Sequence, residues 1–266
     1  MNNRFQIFLT LTLIVMACTL SFGQESLKSI KSNDELKVGL TGTQPPYSML
    51  AKDSSIIGFE VDIAQHLADK MGVKLVLVPM SFAELLPALK NGEIDLVMSG
   101  MTINAERNME VAFVGPYHST GKSVLTFAQV YADVRGPQEL NKGSVKIAAL
   151  KGSTSESYIL KNIPKAKLTA TANYDEAINL LNKEKVGLII ADNSIIRYTI
   201  LRNPDAGFVS LEENFTYEPI GIGVEPTDFL FINLLENLLD EMVINGALEE
   251  LENDWFWDDQ WLELID

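Results

Sequence analysis

The sequence predicts a parallel α/β architecture made of two βαβ halves. From Leu36 onward, short runs of β-branched and apolar residues alternate with helical runs, which is typical of parallel sheets covered by helices. The same alternation starts again after Ser123, so the unit is repeated once. The chain has 266 residues, of which 47% are hydrophobic, and this suffices for one large or two small cores.

The first half is delimited by turn and cap residues. Its strands are predicted at residues 36–40, 73–78 and 94–98. A helix follows Phe59 and stops at Gly72, because glycine is favoured just past a helix end. Ser81 and Glu84 have the spacing of a capping box, which predicts that the next helix starts there. Pro87 falls inside that helix, where proline is unfavourable.

The second half follows the same order and then returns to the first. Its strands are predicted at residues 123–127, 145–150, 168–171, 187–191 and 208–211. Helices are predicted from about Ser155 and from Tyr174. A late strand at 220–224 and two further helices would complete the first half, so the chain crosses twice. The pairs Gly115-Pro116 and Glu218-Pro219 mark the predicted crossings. The predicted lobes are residues 36–120 with 217–266, and residues 121–216 with the hinge segments.

The first residues predict export from the cytoplasm. Arg4 precedes an apolar run from 5 to 17, and small residues follow up to Gly23, so residues 1–23 are interpreted as a secretory signal. The alternative is a weak lipobox that would lipidate Cys18. Either form of processing places the protein in the periplasm or outside the cell. Cys18 is the only cysteine, so no disulfide is expected in the mature chain.

Charge and residue types exclude several functional classes. The formal net charge of −15 repels nucleic acid and anionic lipid, so neither is expected as a partner. His66 and His118 are the only histidines and lack metal-ligand spacing, so no metal, cofactor or nucleophilic triad is expected. The stretch GPYHSTGKS, residues 115–123, has five residues between its glycines instead of four and precedes a strand, which argues against a phosphate-binding loop.

Three positions at predicted strand ends suggest a site for a small zwitterion, because open α/β sheets bind ligands at that edge. Arg107 follows the third strand and suits a carboxylate, although it could equally pair with Glu106 or Glu110 at the surface. The segment 152–156, GSTSE, opens a helix whose amides suit an anion, or forms an ordinary cap. Asp192 ends a strand and could receive an ammonium group, or cap the next helix.

Several motifs in order resemble one protein family. These are VGLTGTQPPYSM, GFEVDIAQHLADKMG, LLPALKNGEIDLVMSGMTINAER and the following GPY. They are similar to the family 3 extracellular solute-binding proteins over 36 to about 261. The resemblance implies two Rossmann-like lobes joined by two hinge strands, the periplasmic binding protein type II-like fold, which close on an amino acid and deliver it to the membrane permease of an ABC transporter. It also implies a monomer.

The resemblance implies a role for each matching residue. Arg107 would hold the α-carboxylate, together with the backbone at Thr102 and Thr154. The α-ammonium would contact Asp192, the carbonyl of Gly100 and the hydroxyl of Thr102. One further aromatic residue would stack on the ligand, namely Phe82.

Two positions near the first strand predict the kind of side chain that the ligand carries, because they differ from the residues found in some members of the family. Binders of basic amino acids in the family have an acid and an aromatic residue where this chain has Thr41 and Gln44. A buried cationic side chain would lack its partner, so a polar neutral amino acid is expected, with Gln44 as a hydrogen-bonding group. Two alternatives stay open. One is an enzyme on the same scaffold, of the periplasmic cyclohexadienyl or arogenate dehydratase type, with Glu60 or Glu156 as its acid. The other is a ligand-sensing subunit.

Overall fold

The computed structural model describes residues 25–265. The strands of this part of the chain are β1 (Glu35–Leu40), β2 (Thr43–Gln44), β3 (Ser48–Leu50), β4 (Ile56–Ile57), β5 (Lys74–Pro79), β6 (Leu96–Val97), β7 (Ala112–Thr120), β8 (Lys122–Thr126), β9 (Lys146–Leu150), β10 (Lys167–Thr171), β11 (Leu188–Asp192), β12 (Val209–Ser210) and β13 (Glu218–Val224). The α-helices are α1 (Glu25–Asn33), α2 (Phe59–Met71), α3 (Phe82–Lys90), α4 (Ala105–Asn108), α5 (Gln129–Ala132), α6 (Thr154–Asn162), α7 (Tyr174–Asn182), α8 (Asn193–Arg202), α9 (Phe229–Ile244) and α10 (Ala247–Phe256).

Two five-stranded sheets organise these elements, and each combines parallel with antiparallel strands. The first has the order β5-β1-β6-β13-β7, in which β1 is parallel to β5 and β6, while β13 is antiparallel to β6 and β7. The second has the order β10-β9-β11-β8-β12, in which β9 is parallel to β10 and β11, while β8 is antiparallel to β11. The α/β architecture with two Rossmann-like halves is therefore confirmed. Strands β2, β3 and β4 form a small separate sheet.

Two crossings connect the large sheets and run side by side. The first is Gly121, between β7 and β8, and the second is the segment between β12 and β13. The backbone N–H of Phe215 donates to the carbonyl of Lys122 at 2.7 Å, and the N–H of Lys122 donates to Thr216 Oγ1 at 3.0 Å. The predicted lobe boundaries lie at these segments and stay a prediction. The C-terminal helices return to the first sheet, where α9 packs on β7 and α10 packs on α2.

Local signals explain where the first helices begin and end. Helix α2 ends at Gly72, whose φ of 69° is the left-handed conformation that glycine adopts without strain. Helix α3 starts after Ser81, and the capping box with Glu84 is present as predicted. Pro87 lies inside α3, as the sequence indicated.

Some elements differ in extent from the prediction, and others were not predicted. Gly115 and Pro116 lie inside β7 instead of at a crossing, and proline is tolerated there because β7 is an edge strand of its sheet. The third strand, predicted at 94–98, is reduced to Leu96 and Val97. Helix α1 and the small sheet were not predicted. The predicted signal segment, including Cys18, lies outside the described residues.

Helix α9 buries Phe231, Leu235, Leu239 and Met242, whereas its neighbouring apolar residue Leu230 is 49% exposed. The helix is apolar on several sides, so periodicity alone does not define its buried face. Within residues 25–265, no helix combines the length and apolar character needed to cross a membrane.

The tight first crossing leads to a prediction about Gly121. A Cβ atom at this position would lie 2.1 Å from the Thr216 carbonyl oxygen and 2.8 Å from Asn214 Cβ, so Gly121→Ala must push the two crossings apart. We expect a loss of about 1–3 kcal/mol in the free energy of unfolding, measured by urea denaturation. Gly143→Ala is the control, because its nearest neighbour, the Lys165 carbonyl oxygen, would be 3.8 Å away. Equal stability of the two variants would contradict the close approach of the crossings.

Candidate ligand-binding cleft

Arg107 lies on α4, in the loop that follows β6, and its guanidinium contacts backbone from both halves. Nη1 donates to the Thr102 carbonyl at 2.9 Å and Nη2 to the Gly152 carbonyl at 3.4 Å. Burial lowers the pKa of the Arg107 guanidinium, and the negative charges of Asp192 and Glu218 act in the opposite direction. Within residues 25–265, no carboxylate lies within 4.0 Å of this guanidinium. Arg107 is therefore a partly buried cation without an ion-pair partner.

Neither of the alternative partners forms an ion pair with Arg107. Glu110 accepts from Lys90 Nζ at 2.9 Å at the surface. Glu106 makes no ion pair in the described part of the chain, although its charge raises the pKa of Arg107. The guanidinium carbon lies 5.6 Å from the centroid of the Phe82 ring, a cation–π contact. Phe82 is 6% exposed and begins α3. Its ring therefore supports the guanidinium, while the predicted stacking on a ligand stays a prediction.

The N-terminus of α6 faces this group from the second sheet. Ser153 Oγ accepts from the Glu156 N–H at 3.2 Å, and Glu156 Oε2 accepts from the Gly152 N–H at 2.6 Å, so both capping residues act on the first turn. Thr154 Oγ1 lies 3.4 Å from Thr102 Oγ1, within hydrogen-bond distance. The first amides of a helix have no partner within the helix. Their position beside Arg107 suits an anion.

Asp192 occupies the position before α8 but makes no side-chain hydrogen bond to that helix. Its Oδ1 accepts from Lys122 Nζ at 2.7 Å, and no residue within 25–265 donates to Oδ2. The side chain is 10% exposed. The capping alternative is therefore wrong, and one carboxylate oxygen is left for a further donor.

Gly100 and Thr102 follow β6 of the first sheet, and Gln44 lies in β2 of the small sheet. Gly100 has a φ of 58°, which suits glycine, and its N–H donates to Glu60 Oε1 at 2.7 Å. Gln44 is 4% exposed, and its Oε1 accepts from Thr41 Oγ1 at 2.9 Å and from Ser99 Oγ at 2.5 Å. The oxygen of Gln44 is therefore used internally, and a hydrogen bond from its side chain also acts on the Tyr174 phenol, whose pKa it lowers. The predicted contact of Gln44 with a ligand stays a prediction.

The seven predicted residues therefore fall into one region between the sheets. Arg107, Thr102, Thr154 and Phe82 are joined by direct contacts, while Gly100 lies beside Gln44 and Tyr47. Asp192 acts electrostatically on Arg107. A cavity of about 320 Å³ adjoins this region and includes Gln44 and Phe82 in its lining. A larger cavity of about 470 Å³, lined by aromatic residues of the C-terminal segment, includes none of the seven.

The sequence did not predict the buried residues that contact the predicted site residues and their neighbours. Lys122 is 0% exposed and pairs with Asp192, and it stands at the end of the GPYHSTGKS stretch that was set aside as a false phosphate loop. Tyr47 OH lies 3.1 Å from Ser194 Oγ and so connects the small sheet to α8. A lysine directly before the predicted strand 123–127 was visible in the sequence, but nothing local to it indicates its burial or its partner. Its partner, Asp192, follows 70 residues later.

Glu60 is the buried acid that holds the Gly100 loop. It is 0% exposed, and its Oε1 also accepts from Tyr117 OH, while Oε2 has no partner in the described residues. Burial raises the pKa of Glu60 to about 7, against the effect of the hydrogen bonds from Tyr117 and Gly100, which lower it. Glu60 therefore connects α2, β7 and the loop of Gly100. Glu156, the other acid considered, is bound to the Gly152 amide.

Comparison with known proteins gives one family and consistent relatives. Residues 36–258 match the family described as bacterial extracellular solute-binding proteins, family 3. An ABC transporter glutamine-binding protein from Bacillus subtilis is 29% identical over 89% of this chain and 86% of the relative. A cyclohexadienyl dehydratase from Pseudomonas aeruginosa is 25% identical over 91% and 90%.

A solved structure shows the same fold. A binding component of an ABC transporter from Wolinella succinogenes, complexed with lysine, has a TM-score of 0.81 and 34% identity, covering 86% of this chain and 99% of the other. The ligands of these proteins include a neutral and a cationic amino acid, so similarity alone does not define the side chain bound here.

The raised pKa of Glu60 leads to a prediction about stability and pH. Between pH 4.5 and about 7 the folded protein holds a proton that the unfolded chain has released, so the free energy of unfolding should fall as pH rises through this window. Glu60→Gln removes this contribution. The stability of the variant relative to wild type should therefore rise between pH 5 and pH 8 by up to about 3 kcal/mol, measured by urea denaturation at each pH.

Glu236→Gln is the control for this experiment, because Glu236 is an exposed glutamate on α9. Its stability should follow that of wild type at every pH. A pH dependence of Glu60→Gln that parallels wild type would show that Glu60 does not titrate in this window.

Proposed function

We propose, since this chain belongs to family 3 of the bacterial extracellular solute-binding proteins, that it captures an amino acid between its lobes and delivers it to an ABC transporter. The observation that carries the proposal is the pair formed by Arg107 and Asp192. Within residues 25–265, Arg107 is a partly buried cation that has no carboxylate within 4.0 Å, and Asp192 has one oxygen that accepts no hydrogen bond. A zwitterion would supply a negative charge to Arg107 and a further donor to Asp192.

Arg107 and the start of α6 support binding of the ligand carboxylate. The planar fork of a guanidinium can donate two parallel hydrogen bonds to a carboxylate, which a lysine cannot reproduce. The Nη2 contact to Gly152 places this fork beside the first turn of α6, where Thr154 lies. Since Arg107 precedes the first crossing and Thr154 follows it, a bound carboxylate would join the two lobes.

Asp192 supports binding of the ammonium group. Its Oδ2 is available, and its charge acts on Tyr47, whose ring lies beside Gly100. Thr102 lies two residues beyond Gly100. An ammonium group donates three hydrogen bonds, and a carboxylate oxygen, a backbone carbonyl and a hydroxyl oxygen would accept them. Gly100 and Thr102 precede the first crossing and Asp192 follows it, so the ligand would contact both lobes. Its binding would then favour closure of the lobes, with the crossings as the hinge.

We also propose export and delivery to a transporter, and membership of the family supports both. The predicted signal, residues 1–23, would direct the chain to the periplasm or the cell exterior, with lipidation of Cys18 as the alternative. We propose the membrane permease of an ABC transporter as the partner and a monomer as the functional unit. The relative from Bacillus subtilis is itself a glutamine-binding protein of an ABC transporter.

An enzyme is the second candidate, and two observations favour it. One relative is a cyclohexadienyl dehydratase, and Glu60 is a buried acid whose pKa is raised to about 7 by burial, as a general acid requires. Glu60, however, contacts the Gly100 amide and Tyr117 and lies behind the loop. Incubation of the purified chain with prephenate or arogenate decides between the two, because product formation that Glu60→Gln abolishes would establish the enzyme.

Arg107 provides the test of the binding role. A thermal-shift screen against the common amino acids, after removal of co-purified ligand by partial unfolding, identifies the ligand. Arg107→Ala would then leave its carboxylate without a counter-charge, which costs roughly 2–5 kcal/mol, so affinity by calorimetric titration should fall by about 30-fold to several-thousand-fold. Arg107→Lys should recover only part of the loss, because the charge returns without the fork.

Arg135→Ala is the matched control, because Arg135 is exposed in the second lobe and should leave the affinity unchanged. The melting temperature of unliganded Arg107→Ala should change little, as for other substitutions outside the core. Wild-type affinity in Arg107→Ala would refute the carboxylate assignment.

A further inference from the structure

We propose that Lys122 is a specificity-determining residue that makes the cleft accept amino acids with a neutral side chain and reject those with a cationic one. The inference rests on the proposed function of the site. It concerns the charge of the ligand side chain and not the two groups common to all amino acids.

Lys122 is held in place by both crossings. It is the first residue of β8, directly after Gly121, and its side chain is 0% exposed. Nζ lies 2.7 Å from Asp192 Oδ1 and 3.4 Å from Glu218 Oε2. Thr216 Oγ1 donates to Glu218 Oε1 at 2.8 Å and accepts from the Lys122 N–H at 3.0 Å. The ammonium group is therefore enclosed between a predicted ligand residue and an acid at the start of β13.

The charges around this point balance before any ligand is added. Arg107 and Lys122 contribute two positive charges, and Asp192 and Glu218 contribute two negative ones. Asp192, Glu218 and, last of the three, Glu106 raise the pKa of the Arg107 guanidinium. Glu106 is exposed on α4, where water screens its charge, so the unit that water does not screen consists of Arg107, Lys122, Asp192 and Glu218. An amino acid with a neutral side chain adds one charge of each sign and preserves the balance. A cationic side chain adds a positive charge that no group of this unit compensates, which is costly away from water.

The remaining ionisable groups of the region do not supply that compensation. Burial, and then the negative charge of Asp192, raise the pKa of the Tyr47 and Tyr174 phenols well above the usual value, so both are neutral. Burial lowers the pKa of His118, against the effect of Glu252. Glu60 is protonated below its pKa of about 7. Thr41, directly after β1, and Gln44, in β2, carry no charge.

Two single substitutions would change the balance in opposite directions. Lys122→Met leaves an excess negative charge, and Glu218→Gln leaves an excess positive one. Titrations with glutamine, lysine and glutamate at pH 6, where Glu60 is protonated, report the effect. Wild type should bind glutamine at least about 100-fold tighter than lysine. Lys122→Met should shift the lysine-to-glutamine affinity ratio by at least about 100-fold toward lysine, and Glu218→Gln should shift the glutamate-to-glutamine ratio toward glutamate.

The double variant Lys122→Met with Glu218→Gln restores the balance and should restore the wild-type ratios. Lys122→Met alone buries Asp192 and Glu218 without their shared cation, which could prevent folding. The double variant removes the charge of Glu218 as well, so Asp192 remains as the one buried acid of the four groups and the affinity ratios can still be measured. Lys161→Met is the matched control, since Lys161 is exposed on α6, and it should bind as wild type does.

The outcomes separate this inference from the function on which it rests. Equal affinity of wild type for lysine and glutamine, or ratios unchanged in both single variants, would overturn the role of Lys122 and leave amino-acid binding intact. Absence of binding to every common amino acid would overturn the proposed function and this inference with it.

Discussion

The ion pair between Lys122 and Asp192 is the interaction on which the centre of the molecule depends. The lysine is fully buried, and the antiparallel register of β8 and β11 places it directly opposite the aspartate. A buried ion pair adds little net stability, but removing one partner leaves an uncompensated charge in a low-dielectric site. Glu218 contacts the same ammonium group from the start of β13. The second sheet, the second crossing and the candidate ligand residue are thereby linked through one side chain.

This arrangement would connect ligand binding to the proposed closure of the lobes. Arg107 precedes the first crossing and donates to a carbonyl on each side of it, while Asp192 and Thr154 lie beyond that crossing. A ligand that satisfies both groups as proposed would contact both lobes at once, and its binding energy would favour a closed arrangement over an open one. Gly121 and Thr216 lie so close that a Cβ atom at Gly121 would meet the Thr216 carbonyl oxygen. The two crossing segments therefore run next to each other, as the two strands of the proposed hinge would.

Much of the fold could be predicted from sequence because its signals are local. The end of α2 at Gly72, the capping box of Ser81 and the restart of the pattern after Ser123 all depend on neighbouring residues. Strand β7 was missed because Gly115 and Pro116 indicate a turn, whereas the position at the sheet edge that tolerates them is a tertiary property.

The candidate site was predictable only in part, for the same reason. Arg107 and Asp192 follow strand ends, and this position is visible in the sequence. The pairing of Lys122 with Asp192 depends on strand register across 70 positions, and the burial of Glu60 depends on the packing of α2 against the Gly100 loop. Neither has a local signal. The residues that support the site are therefore the ones that required a structure.

The central claim is that the cleft holds both charged ends of one amino acid. The most direct measurement is calorimetric titration of the unmodified chain with its best amino acid, with the amine that lacks the carboxylate, and with the acid that lacks the amino group. The amine leaves Arg107 without a counter-charge, and the acid leaves Asp192 Oδ2 without a donor, so each analogue should bind at least about 30-fold more weakly than the amino acid. An analogue that binds within about threefold of the amino acid would contradict the account.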